Sequence, residues 1–303
     1  MWCVSTLPCR WERMVLSGHA SVALCSALML CSSAMEHTDF PLAQYLTRIG
    51  LPAAPEPSET GLRQVHLAQA FSIPFENFDI HLGRAISLNS KDLVEKLITR
   101  SRGGYCFELN GLLHLALRSL GFAVRPLLAR VLYRRPDPGA RTHEVLIVDV
   151  SGRRWLADAG FGGPGLRAPI PLVPDQIEEQ CAEFYCLRQD PLFGMALQKK
   201  VGDKFIDLYA FDEEEITLGI DIEMANHFTS TWPESIFRLQ RMCALPTSRG
   251  RVTLADMDLT VYQDGEIMSR TLPPGTQYVE AISDYFGIRL DARYEDLSPL
   301  GRI

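Results

Sequence analysis

Residues 39–51 (DFPLAQYLTRIGL) place apolar side chains at Leu42, Tyr45, Leu46 and Ile49, the spacing of one helix face, with Asp39 as a cap and Pro41 in the first turn. Residues 58–72 repeat the period through Leu62, Val65, Ala68 and Phe71, and residues 90–101 predict a third helix capped by Ser90. The strongest helical pattern follows Cys106. There Leu109, Leu112, Leu113, Ala116 and Leu120 share a face, and Gly121 ends it. From residue 122 the period falls to two. Residues 122–133, 143–150 and 154–161 read as strands, with RRPDPGART and Ser151-Gly152 as turns between them. FYCLRQD, MALQKKV and KFIDLYAFD continue the strand pattern to about residue 212. The tail is mixed: NHFTSTWPESIF, strands over 251–263 and a closing helix over 276–288. This succession predicts an α+β fold with a helical unit over 35–121, a β-rich unit over 122–228 and a mixed α/β unit over 229–303.

Before Met35 the pattern is different. Residues 21–34 (SVALCSALMLCSSA) are apolar and small, with Arg10 and Arg13 upstream, like the h-region of a secretory signal. They are too short and interrupted for a membrane span. Residues 1–34 are expected to form a disordered extension ahead of the folded chain, and a cytoplasmic protein with no membrane partner is expected. Four of the eight cysteines fall in this stretch; the others are Cys106, Cys181, Cys186 and Cys243, and none forms a C-x-x-C pair or has histidines at zinc spacing. Reduced thiols are therefore expected. The 303 residues are 47% hydrophobic, enough for a substantial core, and the net charge of −7 speaks against a nucleic-acid partner. GFGGPG (160–165) matches G-x-G-x-x-G, but Pro164 and the LRAPIPLVP that follows leave no helix to receive a pyrophosphate. DEEE (212–215) is read as a solvated acidic run.

The candidate chemistry centres on RGGYCFELNG. Two glycines lead a cysteine into a helix N-terminus, where unpaired N–H groups and a partial positive charge favour a thiolate, so a pKa well below that of a free cysteine is expected. A cysteine nucleophile needs a base, and the base an orienting partner. If HEVLIVDVSGRRWLADAG turns at Ser151-Gly152, Val150 pairs with Arg153 and Asp158 falls opposite Val145. His143 is then its diagonal neighbour on the same face of the sheet, close enough for a carboxylate to hold an imidazole. A turn one residue longer would put Asp158 on the other face. Cys106, His143 and Asp158 thus form a candidate triad.

IPFENFDIHLG, RGGYCFELNGLLHLALRSLGF, THEVLIVDV and WLADAGFGG together resemble the arylamine N-acetyltransferase family, densely over residues 36–165 and more thinly through ANHFTSTWPESIF to the C-terminus. The resemblance implies a helical bundle, a β-barrel and an α/β lid around a papain- and transglutaminase-like core. It places Cys106 on the acyl-accepting thiol, His143 on the histidine and Asp158 on the aspartate. It implies acetyl-CoA as donor substrate, no permanently bound cofactor, and an arylamine, arylhydroxylamine or hydrazine as acceptor in a ping-pong cycle. By the same resemblance Glu76 and Arg102 pair to brace the glycine segment, and Phe75, Val131 and Phe161 line the acceptor pocket. Gly139, Ala140 and Thr142 belong to a CoA-contacting turn, with Ala140 standing where relatives often carry glycine. Two other functions fit the same motifs: an amide synthase taking a longer acyl donor, and a binding protein that kept the fold without turnover.

Overall fold

The computed structural model describes residues 40–299, so the Asp39 cap and the expected N-terminal extension lie outside the described residues. Helix α1 (Leu42–Ile49) and helix α2 (Glu59–Ser72) open the chain, and Ser58 Oγ caps the second by accepting from Gly61 N at 3.1 Å. A two-residue strand β1 (Phe75–Glu76) and a single turn α3 (Phe78–His81) follow. Helix α4 (Ser90–Leu93), capped by Asn89 rather than Ser90, widens into a π-helical turn over Val94–Thr99. Helix α5 (Cys106–Ser119) ends where Gly121 takes a φ of 87°.

The buried face of α2 differs from the expected stripe. It runs through Leu62, Val65, His66, Gln69 and Ala70, whereas Ala68 and Phe71 are half-buried. Two polar residues are inside because each is fully engaged. Gln69 accepts from the Tyr45 hydroxyl at 2.7 Å and donates to the Leu109 carbonyl at 2.8 Å, and His66 is bonded on both ring nitrogens. A hydrophobic period cannot register such residues.

Strands β2 (Ala123–Val131), β3 (Arg141–Val150), β4 (Arg153–Ala157), β5 (Ile170–Pro171), β6 (Glu178–Gln180), β7 (Glu183–Asp190), β8 (Gly194–Val201) and β9 (Lys204–Phe211) form one antiparallel sheet. Its order is β5-β4-β3-β2-β9-β8-β7-β6, curled into a nearly closed barrel. Strand β3 is buried on both faces. Val145 and Ile147 pack inside the barrel with Leu127, Leu156 and Tyr209, while Leu146, Val148 and Val150 pack on the helices with Leu109, Leu112 and Leu113. The hairpin turns at Ser151-Gly152, both left-handed with φ of 54° and 73°, and Val150 pairs with Arg153 as the two-residue turn predicts.

After β9, helix α6 (Gly219–Thr231) and the short α7 (Ile236–Leu239) lead to strands β10 (Met242–Thr247), β11 (Gly250–Ala255), β12 (Asp258–Gln263) and β13 (Glu266–Thr271). Their meander takes in β1 at one edge, giving the order β1-β10-β11-β12-β13. Helix α8 (Thr276–Phe286) covers it through Tyr278, Ala281, Ile282 and Phe286. The DEEE run is not merely solvated, because Glu213 and Glu214 meet Arg154 at 2.9 and 3.2 Å and Glu215 meets Arg141. Among the described residues no helix is long and apolar enough to cross a membrane.

Candidate active site

The two glycines before Cys106 are required by close approach and not by a left-handed turn. A Cβ on Gly103 would lie 2.2 Å from the Pro74 carbonyl oxygen, and one on Gly104 would lie 2.8 Å from the Glu108 side chain. The left-handed residue is Ser101, with φ of 50°. Gly104 pairs in parallel with Phe75, Gly104 N donating to Pro74 O at 3.2 Å and Glu76 N to Gly104 O at 2.9 Å. That pairing lashes the PFEN and RGGYC segments together. Arg102 tightens it, donating Nε and Nη2 to Glu76 Oε1 at 3.0 and 2.7 Å, while Glu76 Oε2 accepts from Phe78 N at 2.7 Å. Asp79 joins Arg102 to Lys96, and Lys96 reaches Glu108 in the first turn of α5 at 2.7 Å. The helix start that carries Cys106 is thus fixed by a buried chain of alternating charges.

Cys106 is 3% exposed, and its sulfur lies 3.9 Å from the Thr142 carbonyl, beside the first residues of β3. Burial pushes its thiol pKa up, the reverse of the sequence expectation. Backbone N–H groups of Glu144 and Phe107 oppose that rise, and the Asp158 carboxylate adds to it. A lone thiolate is therefore disfavoured here. An anionic sulfur needs a cation made beside it, which is what an imidazole receiving the thiol proton becomes.

His143 is turned the right way for that. Its Nε2 lies 2.8 Å from Asp158 Oδ2, in the first residue beyond β4. An ionised carboxylate only accepts, so the ring proton sits on Nε2 and the Nδ1 lone pair is left free. Burial pushes the Asp158 carboxyl up, but the His143 charge and hydrogen bond, Asn110 and the Gly160 N–H outweigh it, and the net shift is down. The imidazole ring is held edge-on by Phe161 and tilted against Tyr209, at centroid distances of 5.0 and 4.9 Å.

Three further residues hold this arrangement, and periodicity singles out none of them. Asn110, one turn beyond Cys106, donates Nδ2 to both the Glu144 carbonyl at 2.6 Å and Asp158 Oδ1 at 2.9 Å, and accepts from Ala159 N at 3.0 Å. It fastens the helix of Cys106 to the strand of His143 and to Asp158. His66 accepts the Asp158 backbone N–H on Nε2 at 3.0 Å, so its proton is on Nδ1, which donates to Arg167 O at 3.1 Å. Burial holds that ring neutral. Tyr209 places its buried hydroxyl beside Asp158, and burial followed by the Asp158 charge pushes its pKa well up. The one local signal was Asn110, four residues after Cys106 on the same helix face.

Cys106 and His143 open on a cavity of about 530 Å³. Phe75, Val131, Phe161 and Thr142 line it, as do Phe237, Met242 and Leu254 from the C-terminal segment. Gly139 and Ala140 are not among the lining residues; Gly139 O accepts from Arg130, and a Cβ on Gly139 would meet the guanidinium of Arg135, which does line the cavity. A Cβ on Gly160 would press on the Cys106 backbone at 2.9 Å, and Gly162, with φ of 85°, passes over the Phe75 ring. GFGGPG is therefore a loop clamped over the thiol, and no helix follows it. Among the described residues no group of three or more His, Cys, Asp or Glu could hold a metal, and Cys106, Cys181, Cys186 and Cys243 are free thiols.

A family model described as N-acetyltransferase matches residues 60–294. An arylamine N-acetyltransferase / N-hydroxyarylamine O-acetyltransferase of Salmonella typhimurium is 37% identical over 254 residues, covering 82% of this chain and 88% of that protein. An arylamine N-acetyltransferase of Mycolicibacterium smegmatis is 38% identical over 255 residues, covering 82% of this chain and 92% of that protein. The solved Salmonella typhimurium structure superposes with a TM-score of 0.79 over 85% of this chain and 94% of that one, at 36% identity. The Mycobacterium marinum enzyme in complex with CoA gives 0.79 over 85% and 97%, at 33% identity.

Proposed function

Because the chain belongs to the arylamine N-acetyltransferase family, we propose that it transfers an acetyl group from acetyl-CoA to an aromatic amine, arylhydroxylamine or hydrazine through a thioester on Cys106. The observation that carries this reading is the His143–Asp158 bond at 2.8 Å, which leaves Nδ1 as the basic nitrogen on a ring that shares one cavity with Cys106. His143 takes the thiol proton, giving a thiolate–imidazolium pair that offsets the cost of burying either charge alone. Asp158 stabilises the imidazolium and keeps Nε2 protonated. The sulfur attacks the acetyl carbonyl, the tetrahedral oxygen is met by backbone N–H groups at the start of α5, and CoA leaves with the proton from His143. An arylamine is weakly basic and therefore unprotonated near neutral pH. It attacks the Cys106 thioester, His143 accepts its proton, and the amide departs.

Phe75, Val131 and Phe161 supply the apolar walls for the acceptor ring, and Thr142 stands beside the thiol at the donor end. For the CoA turn, Gly139 and Ala140 remain part of the proposal as backbone contacts outside the cavity wall. The protein is proposed to work in the cytoplasm, where acetyl-CoA is made and thiols stay reduced, with no nucleic acid, membrane or resident cofactor in the cycle. The test is CoA release measured over a panel of amines and acyl donors. Release with acetyl-CoA and arylamines, and little with alkylamines, is the expected result. Release only with long acyl-CoA donors would make the chain an amide synthase, and no release with any pair would leave a binding protein.

A further inference from the structure

Helix α6 buries Ile222, Asn226 and Thr229 and turns its other side outward. That outer side carries Ile220, Met224, Phe228 and Trp232, which are 59%, 66%, 44% and 47% exposed. Phe228 and Trp232 stack on each other at 5.5 Å, and with Glu223, His227 and Thr231 these side chains line a shallow groove of about 470 Å³. Ile216 and Leu218, just ahead of the helix, and Ile236, four residues beyond Trp232, are exposed as well, at 82%, 58% and 47%. Contiguous apolar surface of this kind marks a contact site.

We infer that this face pairs α6 with α6 of a second copy of the chain, antiparallel about a two-fold axis near Asn226. The spacing carries the inference. Residues 220, 223, 224, 227, 228, 231 and 232 fall at i, i+3, i+4, i+7, i+8, i+11 and i+12, one continuous stripe over three turns. A two-fold perpendicular to the helix sets Ile220 against Trp232 and Met224 against Phe228 of the other copy, large side chain into gap along the whole seam. The same axis keeps each flank on its own side. Glu223 and His227 lie on one flank, one turn apart, so the carboxylate of each copy meets the imidazole of the other, twice. Their order along the helix makes the face complementary to itself. The antiparallel arrangement also sets the positive end of each helix dipole beside the negative end of the other.

One helix face and its edges bury less than the roughly 800 Å² per partner of a standard interface. The dimer is therefore expected to form and dissociate over micromolar concentrations. The pairing leaves at its rim Ile236 and Phe237, both of which line the catalytic cavity.

The test is sedimentation of the full chain over a concentration series, with Phe228→Asp and charge-exchanged variants. Wild type is expected to move from monomer to dimer, and Phe228→Asp to stay monomeric with an unchanged melting curve and turnover. His227→Glu places like charges opposite each other and should weaken association at least tenfold. Adding Glu223→His restores the pair in exchanged order and should recover it. A wild type that stays monomeric to its solubility limit overturns the inference. So does a dimer indifferent to all three changes, or binding of wild type, and not Phe228→Asp, to anionic phospholipid vesicles without self-association.

Discussion

Asp158 accepts two hydrogen bonds on Oδ1, from Asn110 and Gly160, and one on Oδ2, from His143. That asymmetry decides what Asp158→Asn does. The two donors at Oδ1 hold the amide oxygen there, so the amide nitrogen points at His143 and forces the ring proton from Nε2 to Nδ1. In the proposed mechanism His143 then has no lone pair for the thiol, and turnover should fall about ten-thousand-fold, with CoA binding retained and measured separately by competition. A folded variant with near-normal turnover would reduce the site to Cys106 and His143. At this scale the sequence was legible where chemistry stands at a boundary: Cys106 at a helix start, His143 and Asp158 on a hairpin of countable register. It was not legible where a polar side chain is buried for its hydrogen bonds. His66 sits 92 residues before the N–H it accepts, and no local pattern announces that contact.

Strand β3 carries a carboxyl where a strand buried on both faces has no place for a charge. Glu144 is 2% exposed, and burial followed by the nearby Asp158 charge pushes its pKa well above the ordinary value. The folded chain therefore keeps a proton there that the unfolded chain releases above about pH 4. Where the folded state binds more protons, stability falls as pH rises, until the folded-state pKa is passed. Glu144→Gln removes that slope. It should match wild type near pH 4 and melt a few degrees higher at pH 8, measured by calorimetry across the range. A variant less stable than wild type at pH 8 would mean that the carboxylate is ionised and used. The elements themselves were largely readable, since helices α1, α2 and α5 and the β3–β4 hairpin follow period and turn chemistry. The π-helical turn over Val94–Thr99 was not, because the same side-chain spacing serves either helix. Helix α6 was hidden because its outer face is as apolar as its inner one.

In the whole molecule, charges hold the C-terminal segment and the PFEN segment around the start of α5. Arg84 and Arg100 meet Asp291 at 2.9 and 2.6 Å, and Asp79 is enclosed by Arg84, Arg102 and Lys96 at 3.3, 3.2 and 2.7 Å. Burial raises the Asp79 carboxyl, but Lys96 and Arg102 together bring it down to about 2. A pKa held below the unfolded value contributes stability that is present above about pH 4 and is lost as pH falls toward 2. Asp79→Asn should thus cost about 2 kcal/mol at neutral pH and almost nothing at pH 2, read by denaturant titration at both. An equal cost at both would assign the loss to packing. The α+β succession was visible in the order of periods along the chain, while the insertion of β1 at the edge of the C-terminal sheet was not, since two residues carry no pattern. In the proposed mechanism all of this architecture holds one thiol, Cys106, for acyl transfer. The most direct measurement is to incubate the protein with acetyl-CoA and no amine, then map the adduct by peptide mass spectrometry. A single acetyl group on the Cys106 peptide, discharged by added arylamine and absent from Cys106→Ser, is the predicted result. Acetylation on another residue in that variant, or no adduct in wild type while amine is still turned over, would contradict it.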